Sequence, residues 1–171
     1  MKIILFPAAF ILLIAVVILT VAASLPVKHV VSRSMRLKKT PSEVFALISG
    51  PPNWRPEVKE FVALPARDGL RHWQEINRDG KTMTYEEAEA SPPSRLVTRI
   101  ADRNLPFGGT WTYEIEPTDE GCILRITERG EIYNVIFRFV ARFFLGYAST
   151  VDNYLRAVGN QFHEPTAIEK A

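Results

Sequence analysis

The sequence predicts an α+β domain: a hairpin-connected antiparallel sheet of about six to seven strands, curved around one long C-terminal helix, behind an apolar N-terminal helix. Three observations carry this. Apolar residues at Ile136, Val140, Phe144, Tyr147, Val151, Leu155, Val158 and Phe162 recur at steps of three and four, one stripe along a helix. Between residues 28 and 133 the pattern alternates with period two and is cut by turn residues. Ile3–Ala23 holds no charged residue. The C-terminal stripe, Asn134–Phe162, is about 40 Å long if unbroken. Two accounts of it stay open: a core helix packed on the sheet, and a helix that encloses a ligand cavity with it. Gly146, near its middle, invites a kink or a close approach.

The chain has 171 residues and divides into an anchor over 1–27, a folded domain over 28–162 and a polar tail over 163–171. At helical rise the Ile3–Ala23 run covers about 31 Å, enough for a single bilayer crossing. Val21-Ala22-Ala23 before Ser24 has the form of a signal-peptide cleavage site, but the run is longer than such segments usually carry, so a retained single-pass anchor is expected. Lys28, Arg33, Arg36, Lys38 and Lys39 follow it, and positive-inside counting puts the domain on the cytoplasmic side.

The formal charge of +2 and the lack of a polybasic tract with interleaved aromatics argue against a nucleic-acid partner. Cys122 is the single cysteine, so no internal disulfide forms, and its strand context makes it a buried, inert thiol. No metal-ligand spacing occurs, and the phosphate-binding and nucleophile-elbow motifs are missing, so neither metal nor cofactor is expected.

Taken in order, His29–Lys39 alternates as a first strand, with Val31, Met35 and Leu37 on one parity and Arg33 unexpectedly among them. Thr40-Pro-Ser-Glu43 is a capping box with proline at the first helical position, opening a short helix that ends near Ser49-Gly50. Pro51-Pro-Asn-Trp-Arg-Pro56 forms turns around Trp54, too large to leave in water. Strands follow at Val58–Leu64, Arg71–Arg78, Thr82–Ala90, Arg95–Ala101, Thr110–Glu116 and Cys122–Thr127, with Asp79-Gly80 a hairpin turn. Gly130–Tyr133 links to the long helix, and the tail from His163 is expected to fray.

With these elements in place, the chain resembles the helix-grip superfamily of START-type lipid-transfer domains, the major birch-pollen allergen and polyketide cyclase/dehydrase-like (SRPBCC) proteins. The likeness rests on Thr40-Pro-Ser-Glu-Val-Phe-Ala-Leu-Ile, on Asn53-Trp54, and on Tyr85 with the Glu-Ala-Ser-Pro-Pro-Ser-Arg-Leu turn. Phe107-Gly-Gly-Thr-Trp-Thr-Tyr-Glu and Gly130-Glu-Ile-Tyr-Asn, ahead of the phenylalanine-rich helix, complete it. The resemblance covers roughly residues 28–162, is specific for fold and says little about activity. It implies a deep, largely apolar cavity between sheet and C-terminal helix. Parity and the helical stripe then nominate Trp73, Tyr85, Trp111, Tyr113, Val140, Phe144, Tyr147 and Val151 as ligand-binding residues.

Catalytic candidates are few. His29 adjoins the anchor, His163 lies in the tail, and His72 is expected at the surface. Glu75, Glu87 and Glu128 share inward parity, and a buried glutamate is a workable acid or base. The sequence therefore favours membrane-anchored binding of a hydrophobic small molecule or lipid. A polyketide cyclase/dehydratase using an inward glutamate and a membrane interaction protein without an open cavity are the alternatives.

Overall fold

The structure, a computed structural model, describes residues 2–165 and 167–171, with side chains in the first helix described from Phe10 onward. That helix, α1, spans Lys2–Ser24. Its end is fastened to the domain: Ala22 is fully buried, and Arg138 Nη1 donates to the Leu25 carbonyl at 2.6 Å. Among the described residues no helix is long and apolar enough to cross a membrane. The expected transmembrane anchor, and the membrane placement and cytoplasmic orientation built on it, are corrected accordingly.

Strand β1 (Lys28–Leu37) is followed by helix α2 (Pro41–Ser49). The capping box is complete: Thr40 Oγ1 accepts from the Glu43 N–H at 3.3 Å, and Glu43 Oε2 accepts from the Thr40 N–H at 2.9 Å. The sheet continues through β2 (Val58–Arg67), β3 (Leu70–Asn77), β4 (Thr82–Ser91), β5 (Arg95–Ile100), β6 (Phe107–Thr118) and β7 (Gly121–Ile132). With β8 (Glu169–Lys170) the strand order is β2-β3-β4-β5-β6-β7-β1-β8, with every neighbouring pair antiparallel. The eighth strand comes from the tail expected to fray, and it pairs with β1 through Arg33↔Lys170 and Ser34↔Glu169. Unpaired backbone at a sheet edge is a template for further pairing, and the tail fills it.

The long C-terminal helix is not continuous. It comprises α3 (Val135–Val140), a π-helical turn over Ala141–Leu145, and α4 (Ser149–Phe162). The break falls at Gly146, whose φ of 74° lies in the left-handed region that glycine tolerates best. The core lies between the concave face of the sheet, α2 and α4. Val151, Leu155 and Val158 of α4 are fully buried against Met35, Leu124 and Ile126, with Val44 of α2 closing one end. Arg33, out of place on the apolar parity, points inward and meets Asp152 of α4 at 3.0 Å, so a paired charge tethers helix to strand.

Candidate functional site

Alternation decides which side chains reach the concave face. On β3, Arg71, Trp73, Glu75 and Asn77 share one face, and on β4 Met83 and Tyr85 follow by cross-strand register (Glu75↔Met83, Trp73↔Tyr85). Leu96, Thr98 and Ile100 of β5 and Trp111 and Tyr113 of β6 continue the same surface. α4 lies across it but does not fill it. The space left is a cavity of about 400 Å³, closed on the helix side by Tyr154, Thr150 and Tyr147.

One end of the cavity is built around a buried ion pair. Glu75 is 4% exposed; the Arg55 guanidinium bonds to its Oε2, and the Trp73 indole N–H donates to its Oε1 at 3.1 Å. Arg55 comes from the proline-rich turn after α2, packs 5.5 Å from the Tyr154 ring centre, and lies 3.4 Å from Glu57. Burial works against the charge on Arg55, but Glu75, Tyr154, Tyr85 and Glu57 together outweigh it and leave its pKa raised. Aromatic rings wall this end. Trp73 stacks on Tyr85 at 5.7 Å, while Trp54 and Trp111 meet Tyr154 edge-on at 5.3 and 5.4 Å. Burial pushes the Tyr113 hydroxyl up to about 12 against the opposing pull of Arg55. Tyr154 is raised by burial and by Tyr113, and Tyr85 by burial and by Glu75, so these phenols stay protonated and act as hydrogen-bonding groups.

The other end gathers His29 of β1, Glu128 of β7 and Tyr147, which follows the helix break. His29 Nε2 lies 3.6 Å from Glu128 Oε1, and the imidazole stacks on Tyr147 at 4.2 Å with the planes 14° apart.

Of the residues nominated as ligand-binding, Trp73, Tyr85, Trp111, Tyr113 and Tyr147 line the cavity. Val140, Phe144 and Val151 do not. Val151 is wholly within the core, and Phe144, 75% exposed, turns outward because the π turn rotates its segment off the stripe. Among the glutamates, Glu75 and Glu128 face the cavity. Glu87 keeps the parity of Met83 and Tyr85 but does not line the cavity; its carboxylate is paired with Arg71 at 2.9 Å. His72, expected at the surface, is buried and sits 3.3 Å from Glu86, with Arg99 holding the same carboxylate. Arg55, Trp54, Tyr154 and His29 are cavity residues that the sequence reasoning left out. For His29 the signal was present: it shares the parity of Val31 and Met35. Among the described residues, no group of His, Cys, Asp and Glu is placed to hold a metal ion.

Comparison with known proteins agrees with this architecture. Residues 28–156 match the family model described as polyketide cyclase/dehydrase and lipid transport, and the chain belongs to that family. Norcoclaurine synthase from Thalictrum flavum has a similar structure, with a TM-score of 0.60 at 11% identity over 81% of this chain and 88% of that one. Its complex with dopamine and hydroxybenzaldehyde gives 0.59 at 12% identity, over 82% and 90%. The di-domain ARO/CYC StfQ of the steffimycin biosynthetic pathway gives 0.55 at 18% identity over 75% of this chain, which spans 50% of that protein. At such identities the likeness is one of fold. No curated protein sequence matches.

Proposed function

We propose that the protein binds a hydrophobic, at least partly aromatic small molecule in the cavity between the sheet and α4. The observation that carries this is the cavity itself: about 400 Å³, walled by tryptophan and tyrosine, with a few polar groups at defined places. Ligand sites commonly fall between about 300 and 1,000 Å³ and combine an apolar lining with sparse polar groups. A bicyclic aromatic burying roughly 200 Å² gains about 5 kcal/mol from apolar burial, before the cost of association. Arg55–Glu75 and the protonated tyrosines supply orientation. The open cavity weighs against a partner-docking protein with a collapsed interior.

All three tryptophans, Trp54, Trp73 and Trp111, line the cavity, so intrinsic fluorescence of the full chain reports its occupancy. Titration with 2-methoxynaphthalene is expected to quench saturably in the native chain and not in Thr98→Phe, which fills the cavity from β5. Linear, unsaturable quenching in both proteins would sink the proposal.

A cyclase or dehydratase of the polyketide type is the second reading, favoured by the inward carboxylate of Glu128. Glu75, held by Arg55 and Trp73, is the less suitable proton carrier, since each of its oxygens already accepts a hydrogen bond. Incubation with a poly-β-ketone surrogate tests this reading. Cyclised product that disappears in Glu128→Gln supports it, and product formation unchanged in that variant removes it.

A further inference from the structure

We propose that His29 and Glu128 form a recognition site for a ligand hydroxyl, so that the cavity selects hydroxylated aromatic molecules over their ether or hydrocarbon counterparts. This rests on the cavity-binding function proposed above and adds the chemical class it takes.

The site is assembled with unusual care for two side chains ninety-nine residues apart in sequence. In the β1–β7 register His29 stands opposite Gly130, and a Cβ at position 130 would collide with the imidazole ring. Glycine there lets the ring lie flat over the neighbouring strand and lean toward Glu128, one inward position away. The ring's other face is covered by Tyr147, stacked at 4.2 Å. Tyr147 is delivered by the turn at Gly146, and Arg142 packs 5.8 Å from its ring centre. Three separate segments thus hold one imidazole in place at the cavity wall, where its side chain is only 10% exposed.

The polar geometry then specifies the partner. His29 Nε2 and Glu128 Oε1 are 3.6 Å apart, past hydrogen-bond length, so the two do not satisfy each other directly. Glu128 Oε2 is enclosed and has no donor among the described residues, leaving Oε1 as the oxygen that a ligand can reach. Two polar atoms at that spacing suit a group that both donates and accepts. A hydroxyl donates to the carboxylate and accepts from the imidazole N–H, whereas an ether can only accept and a hydrocarbon does neither. The aromatic walls nearby match a phenolic rather than an aliphatic carrier. A site built to bond a hydroxyl rejects the analogue lacking it, because its own groups are then left unpaired.

The test compares 2-naphthol with 2-methoxynaphthalene by tryptophan quenching in the full chain at pH 7. Native protein should bind 2-naphthol roughly tenfold more tightly, as expected for a hydrogen bond to a charged group. His29→Phe keeps the stacked ring and removes its nitrogens, and Glu128→Met keeps length and removes the acceptor. Both should bring the preference for 2-naphthol over 2-methoxynaphthalene within about twofold, with a native far-UV CD spectrum and urea midpoint as the check on folding. Gly130→Ala displaces the imidazole without deleting a polar atom and should weaken the preference likewise. Equal affinities in the native protein, or a preference that survives all three substitutions, overturns the proposal while cavity binding stands. If neither compound saturates, the cavity function fails and the hydroxyl site falls with it.

Discussion

Replacing Arg55 by methionine is the most direct perturbation of the cavity's polar end. Arg55→Met preserves much of the side-chain volume but strands Glu75, 4% exposed, with the Trp73 indole as its one remaining donor among the described residues. Breaking a buried ion pair from one side costs about 3–5 kcal/mol, because an uncompensated charge stays in a low-dielectric site. For a domain of this size that is a fall of roughly 6–20 °C in Tm. Glu75→Leu should cost less, since the arginine it leaves behind retains Glu57 at 3.4 Å and a somewhat more exposed side chain. The double variant Arg55→Met/Glu75→Leu should recover to within about 1 kcal/mol of the native protein or exceed it, since apolar replacement of a buried pair is often neutral or stabilising. Urea unfolding at pH 7, run as a double-mutant cycle, measures all three. Additive effects, or a cost below about 1 kcal/mol for Arg55→Met alone, would refute the assignment of this pair as a buried, mutually dependent unit.

Other consequences are equally open to measurement. Leu155→Ala in α4 removes a fully buried side chain between helix and sheet and should cost about 2–5 kcal/mol in urea unfolding; a loss under 1 kcal/mol would contradict its place in the core. Tyr113 titrates at about 12 in the folded chain against 10.0 ordinarily, so the folded state holds the proton more tightly. That contribution, of order 3 kcal/mol, is complete below pH 10 and is lost as pH rises toward 12. Tyr85 and Tyr154 act in the same direction, so most tyrosinate absorbance should appear together with loss of the far-UV CD signal, and ionisation of all the tyrosines near pH 10 in folded protein would contradict this. The Cys122 thiol, 1% exposed and pushed by burial up to about 11, should resist a disulfide reagent at pH 8 until urea unfolds the chain; rapid native reaction would place it elsewhere.

What the sequence determined by itself is local. Thr40, Pro41 and Glu43 lie within one helical turn, so their capping box is legible without knowing the fold. Asp79-Gly80 marks its hairpin, with Gly80 at φ 82°, because few residues adopt that backbone. Period-two alternation correctly grouped Trp73 with Glu75, and Trp111 with Tyr113, since a strand's faces follow from its pleat. A glycine within an apolar helical stripe likewise announced the break at Gly146.

Only the tertiary structure decided what depends on distant partners. Alternation cannot say which inward charges find partners: Glu87 keeps the parity of Tyr85, but Arg71 on the neighbouring strand takes up its carboxylate. Helical periodicity did not foresee the π turn that sends Phe144 outward, because one extra residue per turn is set by how the segment docks. Nor did it show that the polar tail closes the sheet as β8 or that the end of α1 is bonded to Arg138. The cavity's chemistry is the extreme case. Arg55 meets Glu75 from a turn on another element, and His29 meets Glu128 across almost the whole domain. The approach of His29 to Glu128 is fixed by strand register and by the absence of a side chain at Gly130, and neither can be read from the two residues themselves.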